Sequence, residues 1–124
     1  MKLFIDDIRN APDDSWVVAR TVTSAIRAVS QFGVLNEMEV ISIDHDISHQ
    51  VAVGELSRPY PCGECFCAVA YFISEHYLDY DVKPKIIIHT SNPVGGKEMA
   101  DILGEDFDIE FNLAGIANRL EMEI

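Results

Sequence analysis

Carboxylates and imidazoles stand where the apolar runs of this sequence end. Leu3-Phe4-Ile5 leads into Asp6-Asp7, Val40-Ile41-Ser42-Ile43 into Asp44-His45-Asp46, and Ile86-Ile87-Ile88 into His89. Carboxylates gathered in one place repel and raise one another's pKa unless a cation neutralises them. Asp6, Asp7, Asp44 and Asp46 are therefore candidate ligands of a hard divalent ion, Mg²⁺ or Mn²⁺, with two or three of them reaching one ion. Strand alternation turns Asp6 away from Asp7, and Asp44 away from His45. The plainer reading of the same acids is helix caps and solvated loop residues. His45 and His89 titrate near neutrality and suit general acid–base catalysis beside Asp44, or ligation of a softer metal.

Ser91-Asn92-Pro93-Val94-Gly95-Gly96-Lys97 runs from the third ending into a helical pattern. Glycines at a helix N-terminus let backbone N–H groups approach an anion, and Lys97 adds charge. Asn92, Gly95 and Lys97 are thus candidate phosphate contacts, as is Arg9 just after Asp6-Asp7. The run is not a Walker loop, and neither a Gly-x-Ser-x-Gly elbow nor a dinucleotide fingerprint occurs. Cys62, Cys65 and Cys67 invite a zinc reading. On one helix, however, Cys65 and Cys67 fall on different faces, and no second cysteine pair exists. Buried thiols are expected instead. His49 lies in an irregular stretch and His76 on an apolar helical stripe, so neither is assigned to the site.

Short β-branched runs over residues 2–6, 16–20, 40–43 and 85–88 predict strands, with a weaker one over 107–111. Val22, Ile26 and Val29 share one helical face, behind a cap at Thr21 or Thr23 and before a stop at Gly33. A second helix is expected from Gly63 or Glu64 to about Leu78, with Cys65, Val69, Phe72 and His76 as its stripe. A third has Asn92 as cap, Pro93 at its first position and Gly104 at its close. The tail with Leu113, Ile116 and Leu120 reads as one short helix. The irregular residues 47–61 read as a lid or binding loop. Strands alternating with helices imply βαβ units and a mostly parallel five-stranded sheet, for which the order 2-1-3-4-5 is expected. That order makes the three charged endings neighbours on one rim. The link from Asp7 to Ser15 is short for a crossover of about a dozen residues. Either it is a loop crossover, or the second strand pairs differently.

The chain of 124 residues suits one domain over 1–124, and its 48% hydrophobic content suits a packed core. Three cysteines, an odd number, argue against a disulfide framework and for a reducing compartment. The N-terminus reaches Asp6 before a signal-peptide core could form, and no apolar run approaches the ~20 residues of a membrane span. A cytoplasmic protein without a membrane partner is expected. The net charge of -12 disfavours duplex nucleic acid and suits a divalent cation or a basic protein partner. A small phosphoester or an RNA end stays compatible where a metal inverts the local field.

Together, Leu3-Phe4-Ile5-Asp6-Asp7-Ile8-Arg9, Ile41-Ser42-Ile43-Asp44-His45-Asp46 and Ile88-His89-Thr90-Ser91-Asn92-Pro93-Val94-Gly95 resemble the cyclic-phosphate-processing receiver-like family. The resemblance implies the receiver variant of the flavodoxin-like three-layer α/β sandwich, its first crossover shortened to a loop. It also implies an acidic metal pair at Asp6-Asp7 and, at Asp44, the position that ordinary receivers phosphorylate. His89-Thr90 occupies the fourth-strand Ser/Thr position, and the fifth-strand lysine of receivers has no counterpart in Asp108-Ile109-Glu110-Phe111-Asn112. The expected activity is metal-assisted phosphoester hydrolysis, of a cyclic phosphate end in RNA or a nucleotide. The alternative is a non-enzymatic receiver-like signalling or docking module.

Overall fold

In the computed structural model, the residues described are 1–33, 38–47 and 65–112. Five strands, β1 (Lys2–Ile5), β2 (Trp16–Ala19), β3 (Val40–Ile43), β4 (Lys85–His89) and β5 (Ile109–Asn112), form one sheet. Its order is β2-β1-β3-β4-β5. Every pairing is parallel. Helices α1 (Val22–Gly33), α2 (Cys67–His76) and α3 (Pro93–Leu103) connect the strands from β2 onward. The fold is the receiver-like α/β arrangement expected. β2 does pair with β1, so the crossover between them is a helix-free loop over residues 6–15.

Register explains how the sheet sorts its side chains. Leu3, Ile41 and Ile86 align across β1, β3 and β4, as do Ile5, Ile43 and Ile88. All six are fully buried. Phe4, Ser42 and Ile87 align on the opposite face. Right-handed crossovers running β2 to β3 to β4 to β5 place their helices on one side of the sheet. Accordingly α1 packs on α2, and α2 on α3.

The helix ends follow local chemistry. Ser24 N donates to Thr21 Oγ1 at 3.0 Å, while Thr21 N donates to Ser24 Oγ at 3.1 Å, a reciprocal cap that opens α1. Asn92 caps α3 by accepting from Gly95 N at 3.0 Å, with Pro93 in the first turn. Gly104 ends α3 at φ 88°, a conformation that suits glycine. α2 starts at Cys67, later than expected, because the chain before it is held against the exit of β3. Asp46 and Cys65 form an antiparallel bridge, and Phe66 N donates to His45 O at 2.8 Å. β5 also starts later than expected, at Ile109. Phe107 is a buried core residue in edge contact with Tyr77. His76 stacks on Phe72 and Tyr80. The expectations for most of the 47–61 stretch, for Cys62 and for the tail fall outside the described residues.

Candidate active site at the carboxyl rim of the sheet

Alternation divides the rim in two. Asp6, Asp44 and His89 continue the face of Phe4, Ser42 and Ile87, whereas His45 turns to the helical side. Asp6 sits at the centre of the first group, fully buried. Its Oδ1 accepts from Ile8 N and Arg9 N, both at 2.9 Å, which fixes the turn after β1. Its Oδ2 accepts from Arg9 Nη1 at 3.0 Å and lies 2.9 Å from His89 Nε2. The same Arg9 nitrogen reaches Asp44 Oδ2 at 3.2 Å, so one guanidinium nitrogen bridges the ends of β1 and β3. Asp44 Oδ1 accepts from His45 N at 2.7 Å. Arg20 braces the loop from below, donating to Asp6 O at 3.2 Å and Arg9 O at 2.6 Å.

His89 is buried with both ring nitrogens engaged. Nε2 faces Asp6, and Nδ1 lies 2.7 Å from Ser42 Oγ. Its ring stacks on Phe4, centroids 4.5 Å apart. With Asp6 ionised, Nε2 carries a proton towards that carboxylate, and Nδ1 pairs with the Ser42 hydroxyl. Although this is a Ser-His-Asp chain, the serine is 4% exposed and lies inside β3. The chain therefore runs inward from Asp6 and positions that carboxylate.

The two buried carboxyls have opposite proton affinities. Burial acts to raise Asp6, but hydrogen bonds from His89 and from the N–H groups of Arg9 and Ile8, with the attraction of His89, outweigh it. They hold Asp6 well below the usual carboxylate range. Burial first, and the Asp6 charge second, push the Asp44 carboxyl up to about 6, against the pull of Arg9, the His45 N–H and His89.

Asp6, Asp7 and Asp44 can each present an oxygen within 4.8 Å of the others. Three hard oxygen donors beside one guanidinium leave negative charge in excess, which fits a Mg²⁺-like ion. Arg9 Nη1 presently spans two of these carboxylates, so an ion and this guanidinium position compete for the same charge.

The remaining sequence candidates lie elsewhere. Asp46 Oδ1 is 2.8 Å from His45 Nδ1 and accepts from Asn92 Nδ2 at 3.3 Å. Gly95 spends its N–H on the Asn92 cap and seats the His45 ring. A Cβ at Gly95 would stand 2.5 Å from His45 Nδ1 and 2.6 Å from Cγ. Lys97 is exposed and pairs with Asp101 on its own helix at 3.8 Å. The sequence reading passed over Ser42, whose signal was a lone hydroxyl two residues before Asp44 in an apolar strand. It also passed over Arg20 and Glu98, which carried no signal.

The three rim-forming endings, the Arg9 bridge and α3 all fall in the stretch that a family model covers. The model for the cyclic-phosphate processing receiver domain matches residues 1–105. The chain belongs to that family. Neither the curated proteins nor the solved structures compared with it give a match. Within this receiver-domain family member, the paired acids at the end of β1 and the acid after β3 meet at one point. Its β5, Ile109–Asn112, carries no lysine. None of its described helices is long and apolar enough to cross a membrane.

Proposed function

We propose that the Asp6–Arg9–Asp44 cluster is a phosphoester-hydrolysing site, taking a cyclic phosphate at an RNA or nucleotide end. The observation that carries this reading is the Arg9 bridge. Nη1 is anchored by two buried carboxylates, while the side chain remains 32% exposed at the rim. A guanidinium anchored in this way presents the rest of its donor fork to an incoming phosphoryl group.

Asp6, Asp7 and Asp44 would hold a divalent ion, whose charge would polarise a phosphoryl oxygen and lower the pKa of bound water. The Arg9 donors not spent on Asp6 and Asp44 would fork onto a non-bridging oxygen. The Asp44 oxygen not given to the ion would accept the proton of the attacking water as the new P–O bond forms, and return it to the alkoxide that leaves the ring. His89 and Ser42 keep Asp6 ionised and in place. Phosphorelay is the less supported reading, because β5 supplies no lysine to clamp an acyl phosphate on Asp44.

The test is a hydrolysis screen of linear and cyclic phosphoesters with and without Mg²⁺ or Mn²⁺. Metal-dependent turnover of a cyclic ester, reduced ~10²-fold or more by Arg9→Ala, is expected for a transition-state charge contact. Turnover that is indifferent to Arg9 would sink this assignment.

A further inference from the structure

We propose that His45, Cys65 and Cys67 form a zinc site on the helical side of the sheet, distinct from the carboxylate cluster. Each is 3% exposed or less. One ring nitrogen of His45 and both sulfurs lie within 4.8 Å of one another. Ligands around tetrahedral zinc, with bonds of roughly 2.0–2.3 Å, stand roughly 3.5–3.8 Å apart. Side-chain shifts of about 1 Å close this set around an ion.

Two further observations point to a ligand. Asp46 Oδ1 lies 2.8 Å from His45 Nδ1, which puts the ring proton on Nδ1 and the lone pair on Nε2. That Nε2 is buried without a hydrogen-bond partner among the described residues. Glu98 Oε1 stands 3.7 Å away, beyond hydrogen-bond reach. A cation on Nε2 would complete the carboxylate–imidazole–metal arrangement that recurs in zinc centres, with Asp46 as its carboxylate. The thiols are prepared as well. Cys67 opens α2, and its N–H donates to Cys65 Sγ at 3.4 Å. The contact orients the Cys65 sulfur.

The backbone fixes this geometry before any ion arrives. The Asp46–Cys65 bridge and the Phe66 N–His45 O hydrogen bond clamp the thiol segment onto the exit of β3. The set is two thiolates and one imidazole, three protein ligands that leave the fourth position of a tetrahedral ion to water. Zinc binding releases two thiol protons, and soft donors of this kind reject Mg²⁺. A bound ion would tie the end of β3 to the start of α2 and hold residues 44–46 in register with the rim.

The test uses protein in which Cys62 is replaced (Cys62→Ser), leaving only these two thiols. One equivalent of Co²⁺ should give sulfur-to-cobalt charge-transfer absorption, and one equivalent of Zn²⁺ should erase it. Cys67→Ser should abolish the band. Asp46→Asn should weaken zinc binding ~10–100-fold by releasing the imidazole tautomer. It also serves as a second variant if the thiol change perturbs folding. Asp6→Asn should leave the band intact. Folded protein without the band, a band that survives Cys67→Ser, or zinc affinity indifferent to Asp46 would each overturn the proposal. Because the readout is metal absorption, failure of the phosphoester reading would leave this result unchanged.

Discussion

Asp44 is held at a cost to the fold, and that cost can be measured. Its ordinary pKa of 3.8 is pushed up to about 6, so the folded chain binds this proton more tightly than the unfolded chain does. The sign follows from linkage: stability falls as pH rises from 3.8 towards 6 and is flat above. At about 1.4 kcal/mol for each tenfold change in proton affinity, the ionised carboxylate costs the metal-free protein ~3 kcal/mol. An amide in its place would be as neutral as the protonated acid at every pH. Asp44→Asn should therefore stabilise the metal-free protein at pH 8 by ~1–3 kcal/mol, the lower end allowing for the lost Arg9 contact at 3.2 Å. For a domain of this size that is a rise of roughly 5–15 °C in Tm. The assay is urea unfolding in EDTA from pH 4 to 8, wild type against variant. The general repulsion of a -12 chain acts on both proteins, so their difference isolates Asp44. A variant equal to or less stable than wild type at pH 8, or a difference that does not shrink towards pH 4, would refute the reasoning.

Other outcomes follow from the same contacts. Mg²⁺ or Mn²⁺ at ~100 times its Kd should stabilise wild type by ~2.7 kcal/mol, and thermal melts should show no such gain in the Asp6→Asn, Asp7→Asn double variant. Asp6 contributes in the opposite sense to Asp44: its stabilisation is present above pH 3.8 and is lost as pH falls below it, so Asp6→Asn should flatten the acid limb of the unfolding profile. Gly95→Ala drives a Cβ to 2.5 Å from the His45 ring and should cost ~1–3 kcal/mol, read by denaturant unfolding. Ser42→Ala removes the 2.7 Å partner of His89 Nδ1 and should cost ~1 kcal/mol; its effect on turnover should appear as weakened metal affinity, since Ser42 touches neither substrate nor ion.

The fold was legible because its signals are local. Three buried β-branched runs that each break into charge announced parallel strands with a common rim. Thr21, Asn92, Pro93 and Gly104 marked helix ends through side-chain and backbone chemistry that depends on few neighbours. The carboxylate cluster was legible in part, since alternation already set Asp6 and Asp44 apart from Asp7 and His45. Arg9 was expected to meet phosphate, but its bridging of two carboxylates depends on β1 and β3 being adjacent and on a turn closed by Asp6. The pairing of His45 with His89 as acid and base was not visible as a division of faces: one ring stacks on Phe4 while the other sits on Gly95. The thiols are buried as expected, but the helical placement of Cys65 failed for a specific reason. Setting Cys65 and Cys67 on different faces assumed both were helical, whereas Cys65 lies in an extended bridge with Asp46. A long-range bridge of this kind leaves no periodic trace in the sequence.

The most direct measurement of the central reading is phosphorus NMR on a nucleoside 2′,3′-cyclic phosphate incubated with catalytic amounts of protein and Mn²⁺. Many equivalents of the cyclic ester should convert to monoester, and Asp44→Asn and Arg9→Ala should each stop the conversion while the fold persists. An unchanged cyclic resonance, together with a stable mass gain from a small phosphodonor that Asp44→Asn abolishes, would contradict hydrolysis and make the domain a phosphoacceptor.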